Sequence, residues 1–485
     1  MINWRIIWKI LGSLLCIEAF FMVWCLVMSL LHEEDDVMAF VLSALTTLGC
    51  GFLFLFSGRG SANSLSRRDG YVVVSLTWLI FSVFGMLPFL IHGCISDLSE
   101  AFFETMSGFT TTGATAIDDV ESLPHGILFW RSLMQWIGGL GIVFFTIALL
   151  PSLVGGSVKV FSAEATGPIR SKMHPRLSTT AKWIWSIYVL LTLVCGLSFW
   201  AAGMEWFDAL NYAMTTTATG GFSTHNGSTV FFNSPTLEYL SIVFQFLSGI
   251  NFTLLYMSIF RLRIGSIVRN SEFRVYLGLT LAATLFLMYM LVSRLHYAYE
   301  PAFRSALFQV VSFITTTGLS NDNAGMWPHV TWVVLGILMF IGGCGGSTSG
   351  GFKNIRVLML FKVLRNEFRR ILHPNAVLPV KIDGQSVAQS RLVSLLAVFL
   401  LYIGMLFTVT VIVNVSGVDF TNSLTISLSL VSNTGAGLDT NIGPVMSWGD
   451  LSDPLMLLCS LLMLVGRLEI MAVLVLFTRS FWKEN

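Results

Sequence analysis

Charge is scarce in this sequence, because only 11% of its 485 residues are Asp, Glu, Lys or Arg, against about 25% in an average soluble domain. This shortage excludes a water-soluble fold. The 28 basic and 27 acidic residues leave a net charge of +1, so bulk charge does not support a nucleic-acid partner, and we expect none. The seven cysteines form no CxxC pair and have no metal-ligand spacing, so we interpret them as packing residues.

Catalytic motifs are also lacking. The sequence contains neither an HExxH nor a GxSxG motif, and its eight histidines lie singly near loops. A membrane-embedded enzyme would need such a constellation. We therefore expect that the protein is not an enzyme.

Long apolar runs dominate what is present, with 54% hydrophobic residues and a mean hydropathy of +0.76. Runs of about twenty residues can cross a hydrocarbon core of about 30 Å, and they recur along the whole chain. We predict ten membrane spans, the first of them retained rather than cleaved as a signal peptide. The predicted spans cover residues 6–31, 37–57, 71–92, 126–150, 180–203, 237–260, 275–293, 330–371 (interrupted), 391–415 and 454–478.

Basic residues collect in alternate predicted loops, which is typical of the cytoplasmic side of membrane proteins. If the N-terminus is inside, 24 of the 28 basic residues lie in the inner segments and 19 of the 27 acidic residues lie outside. Ten spans then place both termini on the cytoplasmic side. We expect a multi-pass protein surrounded by a lipid bilayer.

Four outer loops share a pattern rich in threonine and glycine, and each follows an apolar stretch that is too short to cross the bilayer. Their sequences are SGFTTTGATA, MTTTATGGFS, FITTTGLSND and LVSNTGAGLD. In our alignment one glycine is common to all four loops: Gly113, Gly220, Gly318 and Gly435. A unit of span, short pore helix, loop and span is therefore used four times.

The predicted fold is an all-α polytopic membrane protein. Four span–pore helix–span repeats surround one central pore, and two extra transmembrane helices precede them. The predicted units are residues 1–69 for the two leading helices, then 70–160, 161–272, 273–385 and 386–485 for repeats 1 to 4.

The four loops favour an ion pathway. An unpaired N–H or C=O group in lipid costs several kcal/mol, so such loops must be buried or line a cavity. Glycine lets a loop turn its carbonyls to one side, a ring of carbonyls can replace the hydration shell of an alkali cation, and the C-terminal ends of short helices favour a cation. One copy alone is typical of a helix end or a packing contact. The candidate cation-binding residues of these filter loops are Thr111, Thr112, Gly113, Ala218, Thr219, Gly220, Thr316, Thr317, Gly318, Asn433, Thr434 and Gly435.

A glycine-rich stretch interrupts the eighth predicted span. Gly342 to Gly351 contains six glycines in ten residues, and each interior glycine disfavours a helix by about 1 kcal/mol relative to alanine. It is not a phosphate-binding loop, because Phe352 stands where GxxxxGK[ST] requires lysine. A polar loop at this depth must line the cavity, so it is a candidate gate below the filter; the alternative is a helix-packing surface. The candidate gate residues are Gly345, Gly346, Ser347, Thr348, Ser349 and Gly350.

Arg467 lies inside the tenth predicted span, where a charged side chain costs about 2.5 to 3.5 kcal/mol on insertion scales. We expect it to face the cavity as part of the gate, where its charge would raise a barrier to cations and its guanidinium would bind loop carbonyls. The alternative is a structural arginine bonded to helix ends. Glu469 lies on a different side of the helix, so we do not expect a direct pair. Gln135, Gln245 and Asn251 are further possible cavity residues.

Together these features resemble the Trk/Ktr/HKT family of potassium transporters: four span–pore–span units, TTTG-like loops and the segment GGSTSGGFKNIR from Gly345 to Arg356. The two leading spans resemble the Trk type of this family. The resemblance implies uptake of K⁺, and of Rb⁺, in preference to Na⁺ through a potassium-channel-like pore in a bacterial cytoplasmic (inner) membrane. Glycine at the common filter position goes with potassium selectivity in the family. The second and fourth loops depart from TTTG, so the cation site need not be fourfold symmetric.

The resemblance also implies partners. Members form homodimers in which each protomer holds its own pore, and a cytoplasmic ring of TrkA-like RCK subunits gates the Trk type. That ring binds NAD(H) and ATP, so we expect no cofactor on this chain besides the transported K⁺. The predicted docking surface is the inner basic face, which includes Arg170, Lys172, Arg176, Lys362, Arg365, Arg369 and Arg370.

Two transport mechanisms stay open on this fold: a passive, gated potassium pore, and a proton- or sodium-coupled potassium symporter. Proton coupling usually needs ionisable residues in the pathway. The candidates at membrane depth are Glu18, Glu469 and Arg467, and Glu18 is more typical of a packing residue.

Overall fold

The computed structural model describes residues 2–60, 65–141, 177–262, 265–376, 378–438 and 448–483. Within these ranges the chain is almost entirely helical. Six helices there are long and apolar enough to cross a membrane, and two bent helix pairs bring the number of such spans to at most eight. The predicted all-α polytopic fold is confirmed.

Two long helices lead the chain, α1 (Trp4–His32) and α2 (Val37–Ser57). They pack closely because glycines face each other at their contact. A Cβ atom on Gly12 would lie 2.6 Å from the carbonyl oxygen of Gly51, and small residues of this kind let membrane helices approach.

A unit of spanning helix, short helix, loop and second helix then follows four times. Repeat 1 contains α3 (Arg67–Gly85), α4 (Leu87–His92), α5 (Leu98–Phe109) and α6 (His125–Gly139). Repeat 2 contains α7 (Leu177–Ala201), α8 (Trp206–Thr217), α9 (Pro235–Ser248), α10 (Phe252–Phe260) and α11 (Gly265–Arg269). Repeat 3 contains α12 (Ser271–Leu295), α13 (Tyr299–Ile314), α14 (His329–Ile341) and α15 (Asn354–Leu372).

Repeat 4 follows a small antiparallel hairpin in which Lys381–Ile382 (β1) pairs with Gln385–Ser386 (β2), with Lys381 opposite Ser386. It contains α16 (Gln389–Val415), α17 (Phe420–Ser432), α18 (Asp453–Arg467), α19 (Met471–Leu474) and α20 (Arg479–Trp482). Short 3₁₀ turns cover Ser228–Phe232, Ala324–Met326 and Val475–Phe477.

The pore helices α5, α8, α13 and α17 contain 12, 12, 16 and 13 residues. At 1.5 Å per residue they are about 18 to 24 Å long, which is too short for a core of about 30 Å. Aspartate side chains start two of them: Asp97 accepts the Ser99 amide at 3.1 Å and Asp419 accepts the Thr421 amide at 3.0 Å. Such caps satisfy amides that lack a partner inside the helix. The prediction of a short helix before each loop is confirmed.

The second helix of every repeat ends soon after the level of the filter; in repeat 1 the rest of the predicted span, residues 142–150, lies outside the described residues. Helices α6, α9, α14 and α18 end at Gly139, Ser248, Ile341 and Arg467. We predicted continuous spans over 237–260 and 454–478, and this was wrong: α10 is bent by 104° from α9, and the segment after α18 is bent by 107° from it. The predicted break in the eighth span is observed, since residues 342–353 separate α14 from α15.

Glycines place these broken helices against the pore helices. A Cβ on Gly138 would overlap the carbonyl oxygen of Phe109, and one on Gly466 would overlap that of Val431. In repeats 1 and 4 the second helix therefore touches the end of the pore helix of the same repeat. This contact brings the break next to the filter loop.

Candidate functional site

The four filter loops share one backbone conformation. Their turns place four non-glycine residues in the left-handed region: Thr111, Thr219, Thr316 and Asn433, with φ of 54°, 53°, 56° and 55°. Two residues later the chain has a glycine with φ of 85°, 83°, 79° and 73°: Gly113, Gly221, Gly318 and Gly435. Non-glycine residues rarely adopt this region, so four occurrences at matched positions identify equivalent turns.

The structure corrects our alignment of the second loop by one residue. In that loop Gly221, rather than Gly220, has the positive φ of the common glycine. The hydrogen bonds agree, because the residue before the common glycine donates its amide to the carbonyl five residues earlier in every loop. These bonds are Thr112 to Ser107 at 2.9 Å, Gly220 to Thr215 at 2.9 Å, Thr317 to Ser312 at 2.8 Å and Thr434 to Ser429 at 2.9 Å. The sequence MTTTATGGFS contains two adjacent glycines, so spacing alone could not choose between them.

The four common glycines form a closed ring. A Cβ atom on Gly113 would overlap the carbonyl oxygen of Gly220, one on Gly221 that of Thr317, one on Gly318 that of Thr434, and one on Gly435 that of Thr112. Each loop therefore touches the next, and the fourth touches the first. A side chain at any of these positions would push into the neighbouring loop.

The loops are not identical in their supporting contacts. In repeats 1, 3 and 4 two hydroxyls hydrogen-bond across the loop: Thr110 with Thr112 at 2.8 Å, Thr315 with Thr317 at 2.7 Å and Ser432 with Thr434 at 2.9 Å. Repeat 2 has Ala218 and Gly220 at these positions. There the Gln135 amide donates to the Gly220 carbonyl at 2.8 Å and accepts the Phe222 amide at 3.0 Å. The site is therefore asymmetric, and Gln135, a possible cavity residue from the sequence, supports the filter.

An outer cavity opens on the glycine ring. Besides the four common glycines, its lining includes Asp118, Arg131, His225 and Trp448. Arg131 is buried and its Nε donates to Glu104 at 2.8 Å. This pairing neutralises a positive charge that would otherwise repel cations near the filter. Sequence reasoning missed both residues.

The predicted gate loop lies against the filter. The Gly350 amide donates to the Thr316 hydroxyl at 2.6 Å, and the Gly351 amide donates to the Ser432 carbonyl at 2.9 Å. Thr316 and Ser432 belong to the turns of repeats 3 and 4. The loop thus touches the inner side of two filter loops directly.

Repeat 2 holds the same loop from the side. Asn251 donates its side-chain amide to the Gly345 carbonyl at 2.6 Å, and the Phe252 amide donates to the Gly346 carbonyl at 3.0 Å. The Thr348 hydroxyl bonds the Thr217 carbonyl at 3.1 Å, at the end of pore helix α8. The break between α9 and α10 therefore presents its polar groups to the gate loop. Gln245, in contrast, has no hydrogen-bond partner for its side-chain amide among the described residues.

Arg467 binds carbonyl oxygens of two repeats. Its Nη1 donates to Thr348 at 2.9 Å, and its Nη2 donates to Gly138 and Gly139, both at 2.7 Å. It therefore joins the gate loop to the broken end of α6. These contacts fit both sequence interpretations, since Arg467 holds the loop and also bonds a helix end.

An inner cavity lies on the other side of the gate loop. It is lined by Ser347, Ser349, Gly350, Lys353, Arg467 and Glu469, among other residues. Glu469 forms an ion pair with Arg356. Arg467 therefore contributes a positive charge to the cavity wall.

Glu272 is a further contact of the gate loop that sequence reasoning missed. Its carboxylate accepts the Gly345 amide at 2.6 Å, and its side chain is buried beside the loop. The available signal for Glu272 in the sequence was one acidic residue at the start of a span that basic residues flank. Glu18, by contrast, is fully buried in α1, and its carboxyl oxygens have no hydrogen-bond partner within the described ranges.

The predicted docking surface is described only in part. Arg170, Lys172 and Arg176 lie outside the described residues. On α15, Arg365, Arg369 and Arg370 are exposed, while Lys362 is partly buried and bonds the Lys381 carbonyl at 2.7 Å.

Comparisons with known proteins point to one family. The family model described as "TrkH: Cation transport protein" matches residues 36–484. The chain is 36% identical to the Trk system potassium uptake protein TrkH of Escherichia coli K12, over 99% of this chain and 100% of that protein. It is 37% identical to the TrkH of Halomonas elongata, over 99% of both chains. The crystal structure of the potassium transporter TrkH from Vibrio parahaemolyticus superposes with a TM-score of 0.90 at 34% identity, over 99% of this chain and 100% of that one.

Proposed function

The chain belongs to the TrkH family of cation transport proteins, and we propose that it takes up potassium across a cytoplasmic membrane through its central pore. The observation that carries the proposal is the closed ring of Gly113, Gly221, Gly318 and Gly435. Four loops that meet in this way at membrane depth surround one axis. Potassium is the substrate, and the relatives named above are potassium uptake proteins.

We propose that the filter prefers K⁺, and with it Rb⁺, over Na⁺. The cation-binding residues are those around the ring, with the second loop contributing Thr219, Gly220 and Gly221 instead of the set that began at Ala218. Carbonyl oxygens at a fixed spacing can replace the hydration shell of a larger alkali cation. Contact between neighbouring loops resists the contraction that the smaller Na⁺ would require, and this contact supports the proposal.

Gating is assigned to the loop from Gly345 to Gly350 together with Arg467. The loop lies between the filter and the inner cavity. Groups of repeats 2, 3 and 4 bond it, and Arg467 links it to repeat 1. Side chains and backbone groups hold this one short segment, so its rearrangement can open the path. The positive charge of Arg467 adds an electrostatic barrier to cations at the same level.

Regulation is assigned to a separate cytoplasmic ring of the TrkA-like RCK type, which would bind NAD(H) and ATP. The supporting observation is the continuity of α15 with the gate loop, since a partner that moves the exposed basic residues of α15 would pull on Lys353 and the loop. We also propose a homodimer with one pore per protomer, both termini in the cytoplasm, and unit boundaries near residues 69, 160, 272 and 385.

The decisive experiment measures the reversal potential of purified protein in lipid vesicles under separate K⁺, H⁺ and Na⁺ gradients. A passive pore gives a potential that follows the K⁺ gradient and is unchanged by a pH step. A potential that shifts with the proton or sodium gradient at constant K⁺ identifies a symporter instead. Absence of any K⁺-dependent potential, with the protein folded and inserted, would refute potassium transport.

A further inference from the structure

A polar side chain behind three of the four filter loops ties the pore helix to the outer end of the filter. In each repeat we consider the residue nine positions before the common glycine and the residue two positions after it. The first lies on the pore helix, and the second lies in the outer strand of the loop. The pairs are Glu104 with Thr115, Tyr212 with Ser223, Gln309 with Ser320, and Ile426 with Gly437.

Three of these pairs are hydrogen-bonded, each with a different chemistry. The Thr115 hydroxyl donates to Glu104 at 3.1 Å, and the same carboxylate accepts the Ala116 amide at 2.9 Å. The hydroxyls of Tyr212 and Ser223 lie 2.6 Å apart.

In repeat 3 the Gln309 amide donates to the Ser320 hydroxyl at 2.9 Å and to the Asp322 carbonyl at 3.1 Å. Glu104 and Gln309 are fully buried, and Tyr212 is 1% exposed. Hydrogen bonds between buried groups of this kind hold their partners in one geometry, because a broken bond leaves polar atoms without water.

Repeat 4 cannot form this link. Ile426 is apolar and fully buried, and Gly437 has no side chain. The sequence pattern is therefore polar in three repeats and apolar in one. This difference provides a natural comparison inside a single molecule.

Arg131 extends the link from repeat 1 to repeat 2. Besides its ion pair with Glu104, it donates to the Thr115 hydroxyl and to the Ser223 carbonyl, each at 3.1 Å. Its guanidinium lies 4.3 Å from the centre of the Phe222 ring. Thr115 and Ser223 occupy the same position in neighbouring loops, so one side chain fixes their distance from each other.

We infer that Glu104, Tyr212 and Gln309 are positioning residues that fix the outer end of the filter, with Arg131 coupling repeats 1 and 2, and that they determine cation selectivity. The inference rests on the proposed potassium pore. Selectivity requires the ring to keep its diameter when a smaller cation enters. The hydrogen bonds of these residues hold the outer end of each loop against its pore helix, and they oppose contraction of the ring. When one of these hydrogen bonds is lost, its filter loop can move inward and contact the smaller Na⁺.

The test removes single polar groups while keeping side-chain volume. Tyr212→Phe deletes only one hydroxyl, and Gln309→Met deletes the amide. Ile426→Leu is the matched control at the same position of repeat 4. The readout is the Na⁺-to-K⁺ permeability ratio from bi-ionic reversal potentials of reconstituted protein, which a general loss of folded protein does not alter.

We expect Tyr212→Phe and Gln309→Met to raise the Na⁺-to-K⁺ ratio by about two- to tenfold, the range that corresponds to one lost hydrogen bond. Ile426→Leu should keep the wild-type ratio. Unchanged ratios in both polar variants, measured with a K⁺-selective wild type, overturn the inference and leave the proposed function standing. A wild type that does not discriminate K⁺ from Na⁺ refutes the proposed function itself.

Discussion

The second filter loop contains two adjacent glycines whose surroundings differ. A Cβ on Gly221 would overlap the backbone carbonyl of Thr317, whereas one on Gly220 would overlap the side chain of Gln135. Backbone of a neighbouring repeat cannot yield without deforming the ring, but a side chain can change its rotamer. The two positions therefore allow a direct test of which glycine belongs to the ring.

We expect Gly221→Ser to admit more Na⁺ than Gly220→Ser does. A non-glycine residue in the left-handed region costs about 1 to 2 kcal/mol, so the permeability ratio should change by about tenfold in Gly221→Ser. Gly113→Ser, in the first loop, should behave like Gly221→Ser because Gly113 also has a positive φ and faces a carbonyl. The measurement is ²²Na⁺ and ⁸⁶Rb⁺ flux into vesicles. Equal effects of the two serine variants in the second loop would contradict the corrected alignment.

Substitutions of Arg467 can separate the effect of its hydrogen bonds to the gate loop from the effect of its positive charge. Arg467→Ala removes three hydrogen bonds from a charged donor, each of which contributes about 1.5 to 3 kcal/mol. We expect a higher basal K⁺ flux without any partner, because both the barrier and the link to the loop are lost. Arg467→Lys keeps the positive charge, but it lacks the fork of N–H donors by which a guanidinium bonds carbonyls on two sides. Its basal K⁺ flux should therefore lie between those of the wild type and Arg467→Ala. Wild-type flux in Arg467→Ala would support a purely structural arginine.

The gate loop is the element whose length matters most. It lies in the segment between α14 and α15, where the amides of Gly350 and of the adjacent Gly351 bond the filter turns of repeats 3 and 4. Deleting two residues between Gly345 and Gly350 makes the loop too short to keep these hydrogen bonds. We expect increased basal flux with an unchanged K⁺-to-Na⁺ ratio, measured in the same vesicle assay.

A matched control for that deletion shortens the exposed turn that follows α15, on the predicted inner face. Removal of Pro374 and Asn375 shortens a turn that, among the described residues, has no hydrogen bond to the gate loop, to the filter loops or to α12. Flux should stay at the wild-type level in this control. A deletion in the gate loop that leaves flux unchanged would favour the packing interpretation of the glycine-rich segment.

At the level of elements, the features that depend on glycine content and on the length of apolar runs were predictable from the sequence. Span length predicted the long helices, and Thr-Gly patterns predicted the short pore helices with their loops. The breaks after α9 and α18 were missed, because a single glycine at Gly249 or Gly466 does not distinguish a helix end from a close packing contact. The break in repeat 3 was predictable since six glycines there outweigh any helical preference.

Apart from the bond of Arg467 to the gate loop, which was expected and is observed at Thr348, the contacts that join different repeats were beyond sequence reasoning. Gln135 bonds a carbonyl 85 positions away, and Arg131 bonds one 92 positions away. Their partners become defined only when four repeats close around an axis. The signals in the sequence were an arginine and a glutamine within an apolar run. They indicated polar partners but not which groups these partners are.

At the scale of the whole molecule, the proposed control from the cytoplasm requires a continuous element that reaches the filter. Helix α15 begins directly after the gate loop and carries Arg365, Arg369 and Arg370 in exposed positions. Arg370 pairs with Glu367 at 2.8 Å, with both side chains half-exposed. Exposed pairs of this kind contribute little to stability, so these charges can be reversed without unfolding the helix.

Reversal of Arg365, Arg369 and Arg370 together to glutamate should weaken binding of a TrkA-like ring while leaving the K⁺-to-Na⁺ ratio intact. Charges at an interface rim act mainly on association rate and salt sensitivity, so single reversals should have small effects. The matched control reverses Arg261 and Arg269, which are exposed on another part of the predicted inner face. Pull-down at low and moderate salt should show loss of binding for the α15 variant alone. Unchanged binding at both salt concentrations would rule out α15 as the docking surface, and equal loss in the control would mean that the partner senses only the overall charge of the inner face.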